Sequence, residues 1–571
     1  MQRGGSSGND PGESDADAPI GAIELMQTQL SNIRTAAKIV ALVIVIIAAP
    51  WGWLDIISRR IMQLYVDDRY SQLARFIVLT IAMYAGIAIS SFLQDSRLRV
   101  GFALFFAIGF AADQLALAVT GQHTSIELMQ VVWSQRSMAG DVAQTYANLV
   151  IKALAWICPL FAIFALKPSE NWSLPPKYAA VPLLCIIFAP INIRITHHKI
   201  DEYPSTYGVT AQLAYAVFGP QVYAGPRQDI AYAAEPKRPF DKVIYIIDES
   251  IRADYLQVNN TQFDNTPFLS SVSDRISNFG VAVSVTNASV GSRVAIRTGL
   301  RADQIPDIGQ VCLRQPVIWQ YAKRAGMRTV YIDAWRPVGE MHSYMNTHEL
   351  KLIDRHIAIG EGPKPLIDFK VAKEIRRELE APGPVFILVE KLGSHFPYSL
   401  TVPPDSDYEP AGIDLLPAAA DLERRKELRD YMRSTRRSVD DFFANLFPVL
   451  TAPGTFTIYT SDHGQSMFEG GYEATHGSMV NPHPGEGRVP LFVLSGDADF
   501  NEKMQFAARD GHNRATHFEI FPTLLLAMGF DHDWIRRNNG NTLLEVEKNR
   551  RRRFLAGNLF GGTKSKLVDA E

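Results

Sequence analysis

Three cysteines in 571 residues are too few to staple a fold together. Cys158 and Cys185 fall in apolar stretches, so only Cys312 belongs to a soluble part. That excludes an intrachain disulfide framework and a cysteine zinc cluster there. An excess of charge of one sign is also missing. Lys plus Arg number 57 against 60 Asp plus Glu, a net charge of −3, so nothing recommends nucleic acid as a partner. The start of the chain lacks the basic end and short apolar core of a secretory signal. Residues 1–19 are instead rich in Gly, Ser, Asp and Pro and are expected to be disordered. A single core does not serve this length, so two or more domains are expected.

Long apolar runs are present. They cover about 39–57, 76–93, 100–119, 148–166 and 178–193, and each approaches the length that spans about 30 Å of hydrocarbon as a helix. Five in so short a stretch predict a five-span membrane bundle rather than buried core helices. Trp51 and Trp53 suit an interface belt. The fifth run is short and carries Pro182 and Pro190. Lys and Arg divide evenly between the two sides, so charge does not orient the bundle. Asp113 lies inside the third run and is a functional candidate by its position. The stretch IELMQVVW in the 121–147 loop reads either as an interfacial helix or as a plain connector.

From about residue 241 the pattern changes. VIYIID, FGVAVSV, RTVYIDA, PVFILVEK, TFTIYTSD and VPLFVLS read as strands. TPFLSSVSD, QPVIWQYAKRAG, LIDFKVAKEIRRELE, residues 419–448 and HFEIFPTLLLAMG read as the helices between them. Such alternation predicts a central, mostly parallel sheet flanked by helices. The expected organisation is an N-terminal tail (1–36), a transmembrane domain (37–194), a linker (195–240) with a helical patch near VTAQLAYAVFG, an α/β domain (241–561) and a C-terminal tail (562–571). KNRRRR (548–553) reads as a solvated helix end in preference to an anionic-lipid patch, ahead of a late strand in RFLAGNLFG.

Polar residues collect at the predicted strand ends. Asp248 and Glu249 end the first strand, His395 follows PVFILVEK, and Asp462 and His463 end TFTIYTSD. Ligands of open α/β sheets bind beyond these carboxyl ends. NASVGSRVAIRTGL (287–300) follows FGVAVSV and reads as a tight turn into a helix. Taken alone it fits an ordinary Ser-capped helix equally well. With the other strand ends it places a Ser289 hydroxyl at a helix N-terminus, where free N–H groups favour an anion. Glu249, Asp462 and His463 offer two carboxylates and an imidazole, a donor mix that suits Zn²⁺ with one position open for Ser289. Metal coordination would activate that hydroxyl as a nucleophile towards phosphorus. His395 and His476 are candidates to hold phosphate oxygens or protonate a leaving alkoxide. Arg293, one turn after Ser289, is a candidate phosphate contact. Thr286 and Ser292 remain alternative nucleophiles.

IIDESIRADY (246–255), SVGSRVAIRTG (289–299), GSHFPY (393–398), YMRSTRRSVDDFF (431–443), SDHG (461–464) and THGS around His476 resemble the sulfatase and alkaline-phosphatase-like superfamily. Within it they look most like the membrane-bound phosphoethanolamine transferases that modify lipid A and related glycans. The resemblance implies five spans followed by a sulfatase-like α/β domain in the periplasm of a bacterial inner-membrane protein. It implies one catalytic Zn²⁺, with a second allowed, at Glu249, Ser289, Asp462 and His463, and phosphate or acceptor contacts by His395 and His476. The implied reaction moves phosphoethanolamine from phosphatidylethanolamine to a lipid or glycan acceptor through phospho-Ser289. Alternatives are a phosphoglycerol transferase of the same fold, a membrane-anchored sulfatase or phosphodiesterase, and a non-catalytic membrane scaffold. The sulfatase signature usually has Pro where Gly291 stands and favours oxygen-only metal ligands. Three departures from the transferases stand out: Ser289 replaces the usual Thr, no soluble disulfide can form, and Glu390 occupies a position often held by His.

Overall fold

The computed structural model describes residues 18–47, 58, 61–62, 64–120, 123–134, 146–196, 205–219, 222–336, 338–339, 341–402, 406–469, 475–479, 481–561 and 565–571. The chain divides into two compact units, the first of residues up to 220 and the second of Gln221–Glu571, with which 118–122 are grouped.

The first unit is helical. Its helices are α1 (Ala18–Ile47), α2 (Tyr70–Phe92), α3 (Ser96–Thr120), α4 (Ile126–Ser134), α5 (Ala147–Ala165), α6 (Ala180–Thr196) and α7 (Ser205–Phe218). Among the described residues three of them, α2, α3 and α5, are long and apolar enough to cross a membrane. These are the second, third and fourth of the five expected runs; the first and fifth are not confirmed as spans. The fifth apolar run forms α6, a helix of 17 residues with Pro190 inside it. The first run is covered only as far as Ile47, and the rest of it, with Trp51 and Trp53, lies outside the described residues. α1 begins within the segment expected to be a tail. The stretch expected to lie at an interface is α4, and the helical patch of the linker is α7.

Aromatic residues dominate this unit's core, with Phe102, Phe106, Phe110, Phe161, Phe164 and Tyr207 all buried. Asp113 is buried and accepts hydrogen bonds from the Thr124 amide at 2.9 Å and hydroxyl at 3.0 Å, with His123 Nδ1 at 2.8 Å. It therefore ties His123 and Thr124 to α3. Buried Lys38 donates to the carbonyls of Ser91 at 2.9 Å and Phe164 at 2.6 Å, close to the ends of α2 and α5. A cation at helix C-termini offsets both the unpaired carbonyls and the dipole.

The second unit is built on a seven-stranded sheet. In chain order the strands are β1 (Lys242–Asp248), β2 (Ser277–Val283), β3 (Arg328–Asp333), β4 (Arg355–Ala358), β5 (Val385–Glu390), β6 (Thr455–Ser461) and β7 (Arg488–Ser495). Across the sheet they run β2-β7-β6-β1-β5-β3-β4, and only β7 is antiparallel to its neighbours. The apolar runs are continuous because both faces are covered. Val243, Tyr245 and Ile247 of β1 enter one core, while Ile244 and Ile246 enter the other. That split is the two-residue period of a strand seen from both sides.

One face is covered by α9 (Ser289–Thr298), α10 (Ile318–Arg324), α14 (Ala498–Asp510) and α15 (Ile520–Ala527). The other carries α8 (Pro267–Ser271), α11 (Ile367–Glu380) and α13 (Phe442–Leu450). The long helix expected over 419–448 is α12 (Leu422–Thr435) joined to α13 through a π-helical turn, Arg436–Asp441. β4 and α14 have no counterpart in the sequence-based expectation.

Two short strands, β8 (Arg553–Ala556) and β9 (Lys566–Asp569), pair antiparallel at the C-terminus, so β9 forms within the segment expected to be a tail. The basic run ahead of β8 is not a helix end. Lys548 pairs with Asp510, Arg550 with Glu519, and Arg552 donates to the Val281 carbonyl. β8 meets the chain just ahead of α9: the Leu555 amide donates to Val285 O at 2.8 Å and the Asn287 amide to Leu555 O at 3.3 Å.

Candidate active site

A parallel sheet presents the ends of β1, β5, β6 and β3 along one edge. β1 ends at Asp248 and β6 at Ser461, in register with each other. Glu249, Asp462 and His463 therefore come together, all buried, with ligand atoms within 4.8 Å of one another. α9 begins at Ser289 after the turn braced by β8. Close packing of that turn requires glycine at 291, where a Cβ would stand 2.8 Å from the Thr286 side chain.

Three hydroxyls compete as nucleophile in this turn, and geometry separates them. Thr286 Oγ1 donates to Ala288 O at 2.7 Å, and Ser292 Oγ donates to Thr286 O at 3.0 Å; both residues are fully buried. Those hydroxyls are consumed by the local backbone. Ser289 Oγ is half-buried and faces the cluster, 3.1 Å from His463 Nε2 and 3.4 and 3.3 Å from the Glu249 oxygens.

Arg293 sits one turn into α9 and points inward. It reaches Glu249 at 2.5 Å, Glu390 at 3.2 Å and Asp462 at 3.2 Å. Its donors are turned to three carboxylates, so it organises the strand-end acids. Asp248 takes a different direction. Its carboxylate is held beneath the site by buried Lys391 at 2.6 Å and Tyr459 at 2.7 Å.

Two further imidazoles face the cluster. His476 stacks on His463 with ring centres 4.1 Å apart, and His395 lies 6.4 Å from His476 and edge-on to Trp335 at 4.9 Å. The His476 segment is pinned to the Ser289 turn. Gly477 N donates to Asn287 O at 2.9 Å, and Asn287 Nδ2 donates to Ser478 O at 2.9 Å and to Glu486 at 2.7 Å. Glu486 is the element of this arrangement that sequence patterning did not single out.

Electrostatics follow from burial among like and unlike charges. Burial opposes the charged form of His463, but Asp462 and Glu249 outweigh it and push the imidazole up to about 9. Burial raises Asp462 to about 7, with Glu249 adding to the rise. Burial works against ionised Glu249 too, yet Arg293 beside it holds its carboxyl well below the usual range. His395 is lowered by burial, and His476 is lowered further by burial and by His463. Asp462 Oδ2 and Arg293 Nε are buried without hydrogen-bond partners, their 3.2 Å approach being off the hydrogen-bond line. An unsatisfied buried carboxylate oxygen beside a second carboxylate and an imidazole fits a divalent cation. Glu249, Asp462, His463 and Ser289 would hold it.

A family model described as Sulfatase matches residues 241–530. A curated relative, the phosphoethanolamine transferase EptC of Escherichia coli O18:K1:H7 (strain RS218 / NMEC), is 23% identical over 181 residues; the match spans 31% of this chain and 30% of that relative's length. Among solved structures, the integral membrane lipooligosaccharide phosphoethanolamine transferase A (EptA) from Neisseria meningitidis has the same fold. Its TM-score is 0.52 at 16% identity, over 76% of this chain and 84% of that one. The C-terminal periplasmic domain of EptC from Escherichia coli in complex with Zn gives a TM-score of 0.47 at 18% identity, over 61% of this chain and 97% of that one.

Proposed function

Because the chain belongs to the sulfatase family, we propose that it is a membrane-bound transferase. It moves phosphoethanolamine from phosphatidylethanolamine to a lipid or glycan acceptor of the bacterial envelope, with its α/β domain in the periplasm. The observation that carries this reading is Ser289 Oγ. It heads a ten-residue helix and lies within 3.1–3.4 Å of His463 and Glu249. The similarity to a phosphoethanolamine transferase supports the headgroup, and the three long apolar helices support a lipid donor.

Zinc held by Glu249, Asp462, His463 and Ser289 would lower the pKa of the serine hydroxyl and polarise a phosphoryl oxygen. The remaining chemistry belongs to the chain. Ser289 Oγ forms a bond to phosphorus, and the bond from phosphorus to the diacylglycerol oxygen breaks. The first-turn N–H groups of α9 face the phosphoryl oxygens. His395 or His476, left neutral by burial, takes the proton that Ser289 loses and gives it to the departing oxygen. The same imidazoles then take a proton from the acceptor as it attacks phospho-Ser289, and return it to Ser289 as the bond from its Oγ to phosphorus breaks. Arg293 keeps Glu249 ionised and holds Glu249 and Asp462 in place. The imidazole among the donors favours this phosphoryl chemistry over a sulfatase's oxygen-only site.

Intact-mass measurement of the full chain in detergent, after incubation with phosphatidylethanolamine, tests the scheme. The expected result is a phosphoethanolamine adduct that is lost in Ser289→Ala. An adduct formed only from phosphatidylglycerol would identify a phosphoglycerol transferase. An aldehyde at residue 289 would identify a sulfatase, and no adduct on any lipid overturns the covalent mechanism.

A further inference from the structure

A second group of ligand-type side chains lies at the ends of β3 and β5. Asp333 closes β3, Glu390 closes β5 in register with it, and His342 comes from the irregular segment after β3. The ligand atoms of these three also lie within 4.8 Å of one another. His342 Nε2 is 3.2 Å from Asp333 Oδ2 and 3.2 Å from Glu390 Oε2. Tyr331 Oη, also on β3, is 2.6 Å from the same nitrogen and 3.3 Å from Asp333 Oδ2. Three oxygens thus surround one imidazole nitrogen. A ring N–H has one proton on one line, so it cannot satisfy all three contacts.

The first site has the same form. There His463 Nε2 faces Glu249, Asp462 and the Ser289 hydroxyl. In both groups two carboxylates, one imidazole nitrogen and one hydroxyl converge on a point. Donors about 2.0–2.2 Å from a tetrahedral zinc are spaced about 3.3 Å apart, close to the 3.2 Å that separates each carboxylate from His342 Nε2. The outer contacts also suit a metal. Asp333 Oδ1 accepts from the amides of Trp335 at 2.7 Å and Arg336 at 3.2 Å, which turns Oδ2 inward. His342 Nδ1 is 3.1 Å from Ser343 Oγ, leaving Nε2 to the cluster. Asp333 and Glu390 are buried, and the His342 side chain is 10% exposed, which leaves a route in from one edge.

We propose that Asp333, His342, Glu390 and the Tyr331 hydroxyl form a second divalent-metal site, selective for zinc-like ions. It is distinct from the Ser289 site and from the His395–His476 pair. Arg293 stands between the two sites, ion-paired with Glu249 and Asp462 on one side and with Glu390 on the other. An ion on Glu390 therefore fixes the anchor of Arg293. The donor mix of imidazole and carboxylate favours zinc, cobalt or nickel over calcium and magnesium.

The test is titration of the metal-free full chain in detergent with Co²⁺, read by visible absorption and by metal content per chain. Wild type is expected to take up two equivalents. His342→Ala and the near-isosteric Asp333→Asn are expected to take up one. Both should keep the absorption bands of the other site and the wild-type unfolding temperature in chelator. His463→Ala is expected to lose the other equivalent and keep the His342 one. One equivalent in wild type, unchanged in both His342→Ala and Asp333→Asn, overturns the proposal and leaves the Ser289 site intact. Loss of both equivalents in Asp333→Asn at an unchanged unfolding temperature also overturns it, because the groups would then be a single site.

Discussion

His517 should make this protein less stable in mild acid, and removing it should reverse the effect. The imidazole is 1% exposed at the base of α15. Its Nε2 lies 3.0 Å from Thr460 Oγ1, whose own hydrogen goes to Pro490 O at 2.8 Å. Nε2 therefore donates, and Nδ1 is left buried without a partner. Burial pushes the folded-state pKa down to about 3 from an ordinary 6.5. A depressed pKa gives stability that is present above the unfolded pKa and lost as pH falls towards the folded one. With about 1.36 kcal/mol per unit, the loss is near zero at pH 7.5, about 2 kcal/mol at pH 5 and about 3.3 kcal/mol at pH 4.

His517→Leu removes one neutral hydrogen bond, at a cost of about 1 kcal/mol, and places apolar atoms where Nδ1 had no partner. The variant should therefore be slightly less stable than wild type at pH 7.5 and more stable at pH 5. The two are expected to cross near pH 6, where about 1 kcal/mol of the His517 contribution has gone. Urea unfolding of both full-length proteins in the same detergent, followed by tryptophan fluorescence at pH 7.5, 6 and 5, measures the difference. Other titrating groups cancel in that difference. A wild-type-minus-variant difference that does not change with pH would refute the reasoning.

Two other perturbations follow from the same packing. Arg293→Met leaves Glu249, Glu390 and Asp462 buried without their shared guanidinium, and it should destabilise the metal-free domain by about 3–5 kcal/mol; added zinc should recover part of this in urea unfolding, and equal losses with and without zinc would count against the charge argument. Gly299→Ala ends α9 with a side chain at φ 70°, its Cβ 2.5 Å from the Phe521 ring, so strain of about 1 kcal/mol and overpacking of about 1–3 kcal/mol should lower the unfolding midpoint; a midpoint within error of wild type would show that Phe521 yields freely.

The sheet edge was legible because parallel strands leave their carboxyl ends on one side. Asp248, Glu249, Asp462 and His463 could be brought together from strand ends alone, and Ser289 from the turn that follows β2. Which hydroxyl faces the cluster was not legible. Thr286, Ser289 and Ser292 are chemically alike, and only backbone hydrogen bonding removes two of them. The fifth apolar run forms a 17-residue helix with Pro190 inside it, at the short end of the lengths that span a bilayer. β4 was missed because Arg355–Ala358 has four half-buried residues and little strand character. α14 carries only Met504, Ala507 and Ala508 into the core among polar neighbours. Asp333 obeys the same strand-end rule as Glu249, but its partner His342 lies in an irregular segment with no periodicity to flag it.

The role of Arg293 shows where spacing alone misleads. One helical turn after Ser289 puts the two residues on the same face, which suggests a shared phosphate. That face also meets the ends of β1, β5 and β6, where carboxylates reach the guanidinium first. Four buried carboxylates, Glu249, Asp333, Glu390 and Asp462, then lie along this edge with one arginine, which pairs with all but Asp333. In the deprotonated state that metal ligation requires, with carboxylates ionised and imidazoles neutral, the formal charge is −4 + 1 = −3, a heavy cost in a low-dielectric interior. One divalent ion brings it to −1, which still repels a phosphodiester anion. A second brings it to +1, and the substrate's single negative charge then balances the site. On the proposed function and the proposed second metal site, two ions and one bound phosphodiester would therefore neutralise this sheet edge, with Arg293 as the fixed cation between them.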